Sequence, residues 1–481
     1  MAHGALPRGF GSSCFGLERA CDDQHELVHR RFMYALYVAT MDLRSRARRR
    51  TLRRVMVALL ATLVSVARPV GAQASAPAEL SLASALALAQ RQSPLFERVE
   101  ARYGIARGDV RTAGQWPNPT LEYRRENLGS PLLPDEFVTA YIPIDVTGRR
   151  VQLARATRRG TARALAERDA AQQDAALTIA RAWVAAVLAA ELAQVTAQQH
   201  EAADEIARLE AVRAGEGVSS EAAARRTRVE ATRLAHLRAL AEARAVQERG
   251  ALATALGVPD TQLPALPLSR DGRSALASAT VDASLRAALD TLSTLDLEAL
   301  RARALADRAE LRAASLAREE ASFRQAVERG GVLGDWQLQG GSKLTGGFFT
   351  GQIGLAVPIP IFHRNGGARE RSAGEVRDAD ALSRTTALAV EADVRAAHDA
   401  LRRLRTLGTA AQESPADADV IADAARVAYA EGHMTLLELL DAQRAAADAR
   451  TLARQYAADL LLARLTLARA VGAPILPGAP Q

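Results

Sequence analysis

The sequence predicts a mainly α-helical protein with a small β part, organised as a duplicated helix, strand, strand, helix, helix unit. Three observations carry this. Of 481 residues 48% are hydrophobic but only 4% aromatic, an alanine and leucine composition that favours long helices over a sandwich or an α/β fold. From Gly148 to Val212 there is no proline and glycine only at Gly160, far more uninterrupted helix than a globular core needs. Finally, Pro143 and Pro358, Arg149 and Arg364, Gly217 and Gly432, and Gly257 and Gly472 are each 215 residues apart. Four landmarks in one register mark an internal duplication.

Residues 1–74 read as an N-terminal extension and secretory signal. An arginine-rich stretch from Met41 precedes an apolar run, Val55 to Val66, and then Ala72-Gln73-Ala74, a small-x-small cleavage site. The apolar run is too short to span a membrane as a helix. Met41 is a plausible start, and the mature chain is expected to begin near Ser75. The twelve arginines and five acids of this segment account for the whole formal net charge of +7, so the remainder is neutral and offers no basic face for nucleic acid. Both cysteines, Cys14 and Cys21, also lie here, which leaves no disulfide, thiolate metal site or lipid-bearing cysteine downstream.

The first repeat is expected over 75–257. Apolar spacing predicts helix from Leu82 to Arg111, broken by "GQWPNPT"; two alternating strands follow, at about 119–126 and 136–145, around the turn-rich "LGSPLLPD". A long helix then runs to a hairpin tip at 213–220 and a second helix closes at Gly257. Residues 258–294, rich in Pro, Ser and Asp, read as a linker. The second repeat, 295–473, restarts with helix from Leu297 to Glu328, strands at about 335–345 and 348–361, a long helix from Gly367, a tip at 429–436 and a last helix to near Val471. A tail, 474–481, completes the chain.

The strands alternate. Phe349, Ile353, Leu355 and Val357 share one face of the fourth, opposite Gln352, Gly354 and Ala356. Segments of this length can cross a membrane as tilted strands, but four cannot close a barrel, and open edges are not tolerated in lipid. If they cross, several chains share one barrel. Periodicity alone fits equally a soluble four-stranded sheet packed on helices.

"LSLASALALAQRQSPLF", "QWPNPTLEY", "YIPIDVTGRRVQLARA", "VPIPIFHRNGGARERSAGEV" and "AYAEGHMTLLELLDAQR" with the helix after it resemble, in order and in both halves, the TolC-like outer-membrane efflux proteins. The resemblance covers about residues 80–473 and leans towards the CzcC-like heavy-metal branch. It implies a homotrimer in the outer membrane whose four strands per chain close a twelve-stranded barrel, continued by a long α-helical tunnel into the periplasm. The implied partners are a periplasmic adaptor protein, an inner-membrane pump of the RND type and outer-membrane lipid. No cofactor is implied.

By the same resemblance the tips dock the adaptor through Gly217, Val218 and Ser219 in one hairpin and Gly432, His433, Met434 and Thr435 in the other. Glu438 and Asp441, three residues apart and so on one helix face, align with the acids that ring the family's constriction. Tyr429 matches a tyrosine of its gate network, while Met434 stands where that network has an arginine. The bland alternative for the two acids is a solvated helix face. His433 beside Met434 and Glu431 suggests a soft-metal contact, yet Met434 is the only methionine after Met56, so no thioether relay exists and no metal site is assigned. A secreted enzyme would need a convergent polar constellation; there is no nucleophile elbow, HExxH, phosphate loop or cysteine pair. The remaining alternative, a soluble periplasmic coiled-coil adaptor or scaffold, should carry one hairpin rather than a repeated helix and strand unit.

Overall fold

A computed structural model of the chain describes residues 79–129, 134–268, 274–277, 283–331, 336–362 and 364–475. The signal segment, its cleavage site and both cysteines lie outside the described residues, as do Asp335 and most of the tail. The first repeat comprises α1 (Leu82–Gln92), α2 (Pro94–Ala113), β1 (Thr120–Glu126), β2 (Asp135–Ile144), α3 (Arg149–Gly215) and α4 (Glu221–Leu256). Then come α5 (Ala283–Thr294), α6 (Leu297–Asp307), α7 (Ala309–Gly330), β3 (Trp336–Thr345), β4 (Phe348–Ala356), α8 (Gly366–Thr406), α9 (Gly408–Ala430) and α10 (Leu436–Ala470). At 67 residues, α3 is about 100 Å long.

Helix ends repeat the same chemistry at the 215-residue offset. Gly217, Gly257, Gly432 and Gly472 all have φ between 74° and 80°. Each is followed by a residue whose N–H reaches five positions back: Val218 to Arg213 O (2.9 Å), Val258 to Ala253 O (3.1 Å), His433 to Ala428 O (2.8 Å) and Ala473 to Ala468 O (2.9 Å). These are Schellman closures, which need a residue that tolerates the left-handed region. The helix starts match too. Ser81 and Asp296 cap α1 and α6, and Ser220 and Thr435 cap α4 and α10, each accepting from an N–H three residues on.

Several expected elements differ. The first helix is two, because Ser93 caps a new helix with Pro94 in its first turn, where a missing N–H costs nothing. The helix expected from Leu297 breaks at the equivalent Arg308. Both break residues bond equivalent carbonyls: Ser93 Oγ donates to Ala255 O (2.6 Å) and Arg308 Nη1 to Ala470 O (3.5 Å). The stretch expected as linker contains α5. The helix expected to run unbroken from Gly367 to Gly432 is interrupted at Leu407, where a Cβ on Gly408 would sit 2.8 Å from the Tyr456 hydroxyl. Strand β4 stops at Ala356 rather than 361, since Pro358 and Pro360 have no N–H to offer the ladder.

The four strands form one antiparallel sheet in the order β1-β2-β3-β4. Its register sets Leu121 beside Ala140, Ile142 beside Leu338, and Leu338 beside Leu355. That face ends in open space: Phe349 is 75% and Ile353 84% exposed. The core lies elsewhere, among α1, α3, α4, α5, α6, α8 and α10, around Trp183, which is fully buried and donates from Nε1 to Leu80 O at 2.8 Å. Alanines at Ala176, Ala180, Ala186 and Ala468 let these helices approach closely.

Two polar clusters stitch the core. Glu191, fully buried, accepts from Ser274 Oγ (2.7 Å) and Ala275 N (2.6 Å), pinning the inter-repeat segment to α3. Glu310 on α7 accepts from Arg308 (3.0 Å) and from Arg469, whose Nε also reaches Asp174 (2.7 Å), so α3, α7 and α10 meet at one guanidinium, that of Arg469. Burial alone would raise the Glu310 pKa, but the two guanidinium bonds outweigh it and hold it at about 2.

Candidate functional site at the hairpin turns

The turns at 216–220 and 431–435 end the α3/α4 and α9/α10 hairpins. Gly217, Val218, Gly432, His433 and Thr435 are exposed and Ser219 and Met434 half-buried. Behind the turns a small apolar cluster of Ile206, Ala425, Tyr429, Leu439 and Leu440 joins the two hairpins, and Met434 packs against it. Met434 thus serves as packing. Among the described residues no group of three His, Cys, Asp or Glu side chains is placed to hold a metal.

Tyr429 sits at the centre of a polar knot within that cluster. Its hydroxyl donates to Glu210 Oε1, and Ser219 Oγ donates to Glu210 Oε2 at 2.7 Å. Glu210 on α3 is 1% exposed. The Arg213 guanidinium lies 3.6 Å from that carboxylate and 5.1 Å from the centre of the Tyr429 ring. Burial, then the Glu210 carboxylate, pushes the Tyr429 hydroxyl up to about 12, so it remains a donor across the physiological range. Hairpin one therefore supplies a carboxylate and a guanidinium to a tyrosine of hairpin two, and its own Ser219 hydroxyl steadies the carboxylate.

A second tie lies further along the same pair. Glu230 on α4 accepts from Arg233 (2.7 Å) and pairs with Arg444 on α10 (2.9 Å), and these bonds hold its carboxyl at about 2. Both ties run between repeats.

Glu438 and Asp441 are both exposed, but they differ. Glu438 closes a capping box at the start of α10: its Oε2 accepts from Thr435 N (2.8 Å) and Thr435 Oγ1 (2.7 Å), while Glu438 N donates back at 3.3 Å. The Thr435 bonds lower its pKa. Glu438 thus has a local structural task that the i, i+3 spacing did not disclose, and Asp441 stands free of it, one turn on.

Sequence reasoning found Tyr429 but missed Glu210, Arg213 and Ser219 as its partners. The signal was present in the duplication. At the 215-residue offset Glu210 faces Ala425, Arg213 faces Ala428, Ser219 faces Met434 and Tyr429 faces Ala214. Each polar member of the knot has an apolar counterpart in the other half.

A mostly helical chain with a four-stranded sheet at one end of paired long hairpins defines the fold class of the solved outer-membrane channels. VceC, an outer membrane protein from Vibrio cholerae, superposes with a TM-score of 0.65 at 17% identity, over 82% of this chain and 96% of VceC. The Neisseria gonorrhoeae MtrE outer membrane channel in its open state gives 0.64 at 18%, over 82% and 90%. The Campylobacter jejuni CmeC outer membrane channel gives 0.66 at 16%, over 81% and 85%. No family model matches the chain, and none of the curated proteins matches its sequence.

Proposed function

We propose that this chain is one protomer of a trimeric outer-membrane efflux channel. The observation that carries the reading is the sheet. Its two outer strands, β1 and β4, each pair on one side only, and its apolar face is open. A soluble sheet with that face would be an aggregation hazard. Three copies, β1 of one beside β4 of the next, close a twelve-stranded barrel with no edge and turn the apolar face to lipid. The long helices then extend the conduit through the periplasm, to a periplasmic adaptor and an inner-membrane RND-type pump. The likeness to solved channels supports the same arrangement.

Within that reading the hairpin turns dock the adaptor, and the Tyr429, Glu210, Arg213 and Ser219 knot latches the two hairpins of each protomer in the closed state. Asp441, with Glu438, lines the inner constriction. The cargo reading, heavy-metal cations, is supported by sequence resemblance to the CzcC-like branch. Conduction is passive: the channel supplies a path and the pump the energy.

Fractionation tests the core of the proposal. A heat-resistant, detergent-requiring trimer in the outer membrane is expected; a soluble monomer refutes it. Docking is tested separately with Ser219→Trp and Gly432→Leu, which should abolish export while the trimer remains in the membrane. Export that survives both places docking elsewhere.

A further inference from the structure

The chain contains a single lysine, Lys343, among its 62 basic Lys and Arg residues. It lies on β3, two residues before the strand ends at Thr345 and the Gly346-Gly347 turn. The strand register places it in one cross-strand row: Arg124 on β1 pairs with Phe137 on β2, Phe137 with Lys343, and Lys343 with Thr350 on β4. Paired residues point to the same side of a sheet. The Arg124 guanidinium stands 4.8 Å and the Lys343 ammonium 4.9 Å from the centre of the Phe137 ring, so one aromatic ring holds two cations.

This row belongs to the polar face. The next row inward is Glu122, Thr139, Gly341 and Gln352, where Gln352 Nε2 reaches over the glycine to Thr139 Oγ1 at 2.8 Å. The face behind them carries Leu121, Val138, Ile142, Leu338, Ile353 and Leu355. In a barrel the polar face lines the lumen. The other charges facing this row are Glu122, bonded to Tyr141 (2.7 Å), Glu126, 3.2 Å from Arg124, and Asp135 beside Glu126. Arg124 thus has a carboxylate partner; among the described residues Lys343 has none.

We propose that Lys343, held on Phe137, forms with its two symmetry copies a cationic ring in the outer part of the barrel lumen that binds phosphate-type polyvalent anions arriving from outside. The proposal rests on the trimeric barrel reading. An ammonium in a wet, narrow passage attracts anions, and three around one axis act together. The aromatic support keeps each ammonium in the lumen instead of folded onto the acids of the rim. The outer part of the lumen then holds a row of ammonium groups between two rows of carboxylates, Glu122 on one side and Glu126 with Asp135 on the other, whereas the inner constriction holds carboxylates alone. External polyanions should block it from the barrel side.

Inorganic pyrophosphate is the probe. Added to the barrel side of a planar bilayer holding the wild-type trimer, it should block current, and Lys343→Gln should weaken that block about a hundredfold, the scale of removing three unit charges, one per protomer, at about fivefold each in contact with an anion in water. Lys343→Arg should retain it. An impermeant amine-acylating reagent applied to the barrel side should reduce wild-type conductance and leave Lys343→Arg unchanged, which also controls for the N-terminal amine. Equal pyrophosphate block in all three proteins, or a reagent without effect on wild-type current, overturns the ring while the channel stands. Absence of any channel current overturns the conduit reading and the ring with it.

Discussion

Tyr429→Phe is the sharpest test of the latch because it removes one oxygen and nothing else. The ring stays, so its packing on Ile206, Leu439 and Leu440 and its stacking with Arg213 are retained. Glu210 keeps Ser219 at 2.7 Å and Arg213 at 3.6 Å, so the carboxylate loses one of three supports and is not stranded. A hydrogen bond to a charged acceptor contributes about 1.5–3 kcal/mol, and the lower half of that range applies where other donors remain. A loss of about 2 kcal/mol shifts the closed-to-open equilibrium about 30-fold per latch. The purified trimer in a planar bilayer should therefore show a large rise in open probability with unchanged assembly. Glu210→Gln should open it as well, and the double variant should fall well short of the sum, since both changes break the same bond.

The pH dependence follows from the direction of the shift. The folded state raises the Tyr429 pKa from 10.0 to about 12, so it favours the neutral hydroxyl. That contribution is complete below the unfolded value and is lost as pH rises through about 12. Tyr429 should accordingly leave open probability flat from mildly acid to mildly alkaline pH and release the latch only in strong alkali. Wild-type open probability in Tyr429→Phe, with additive energies in the double variant, would refute the latch.

Three further outcomes are expected. The Glu310 carboxyl, at about 2 against an ordinary 4.5, contributes stability that is present above the unfolded value and is lost as pH falls towards 2, about 3 kcal/mol in all; the thermal midpoint should drop over that window and Glu310→Gln should flatten the drop, whereas an unchanged profile in the variant excludes this group. Gly257→Ala should destabilise far more than Gly217→Ala in thermal melts although both glycines have left-handed φ, because a Cβ at 257 meets Gln92 O at 2.4 Å while that at 217 meets open space; equal losses would contradict the packing. Glu438→Gln with Asp441→Asn should lower cation selectivity and block by multivalent cations in bilayers without loss of helix stability, since Gln also closes a capping box; unaltered selectivity shows that the pair faces away from the pore.

The long helices, their glycine closures and the strands were legible because each depends on local chemistry: composition, the left-handed tolerance of glycine, alternation. Misses arose where the deciding partner is distant in sequence. Gly408 was a local signal for the break at Leu407 that went unused, and only Tyr456, distant in sequence, shows why a side chain is excluded there. Arg308 has no proline to mark the end of α6; only its equivalence to Ser93, which precedes Pro94, does so. For β4 two local signals competed. The alternation through Val357, Ile359 and Ile361 favoured continued strand, and the missing N–H groups of Pro358 and Pro360 won.

The knot around Tyr429 was hidden for a related reason: Glu210 and Arg213 lie in a helix full of acids and arginines, where spacing singles out neither. Comparison of the repeats singles out both. Helix caps and closures stay alike across the 215-residue offset, whereas the knot pairs polar residues of one half with alanines or methionine in the other. The alanines have a physical task. Ala425, 1% exposed and in the same cluster as Tyr429, occupies the place equivalent to Glu210, where a second carboxylate would be buried without a tyrosine to meet it. Divergence at these four positions thus yields one knot per chain instead of two, tying the α9/α10 hairpin to α3 and leaving no reciprocal tie of the same kind. In a trimer that makes three such latches, not six, and it is the second-repeat hairpin that each one holds.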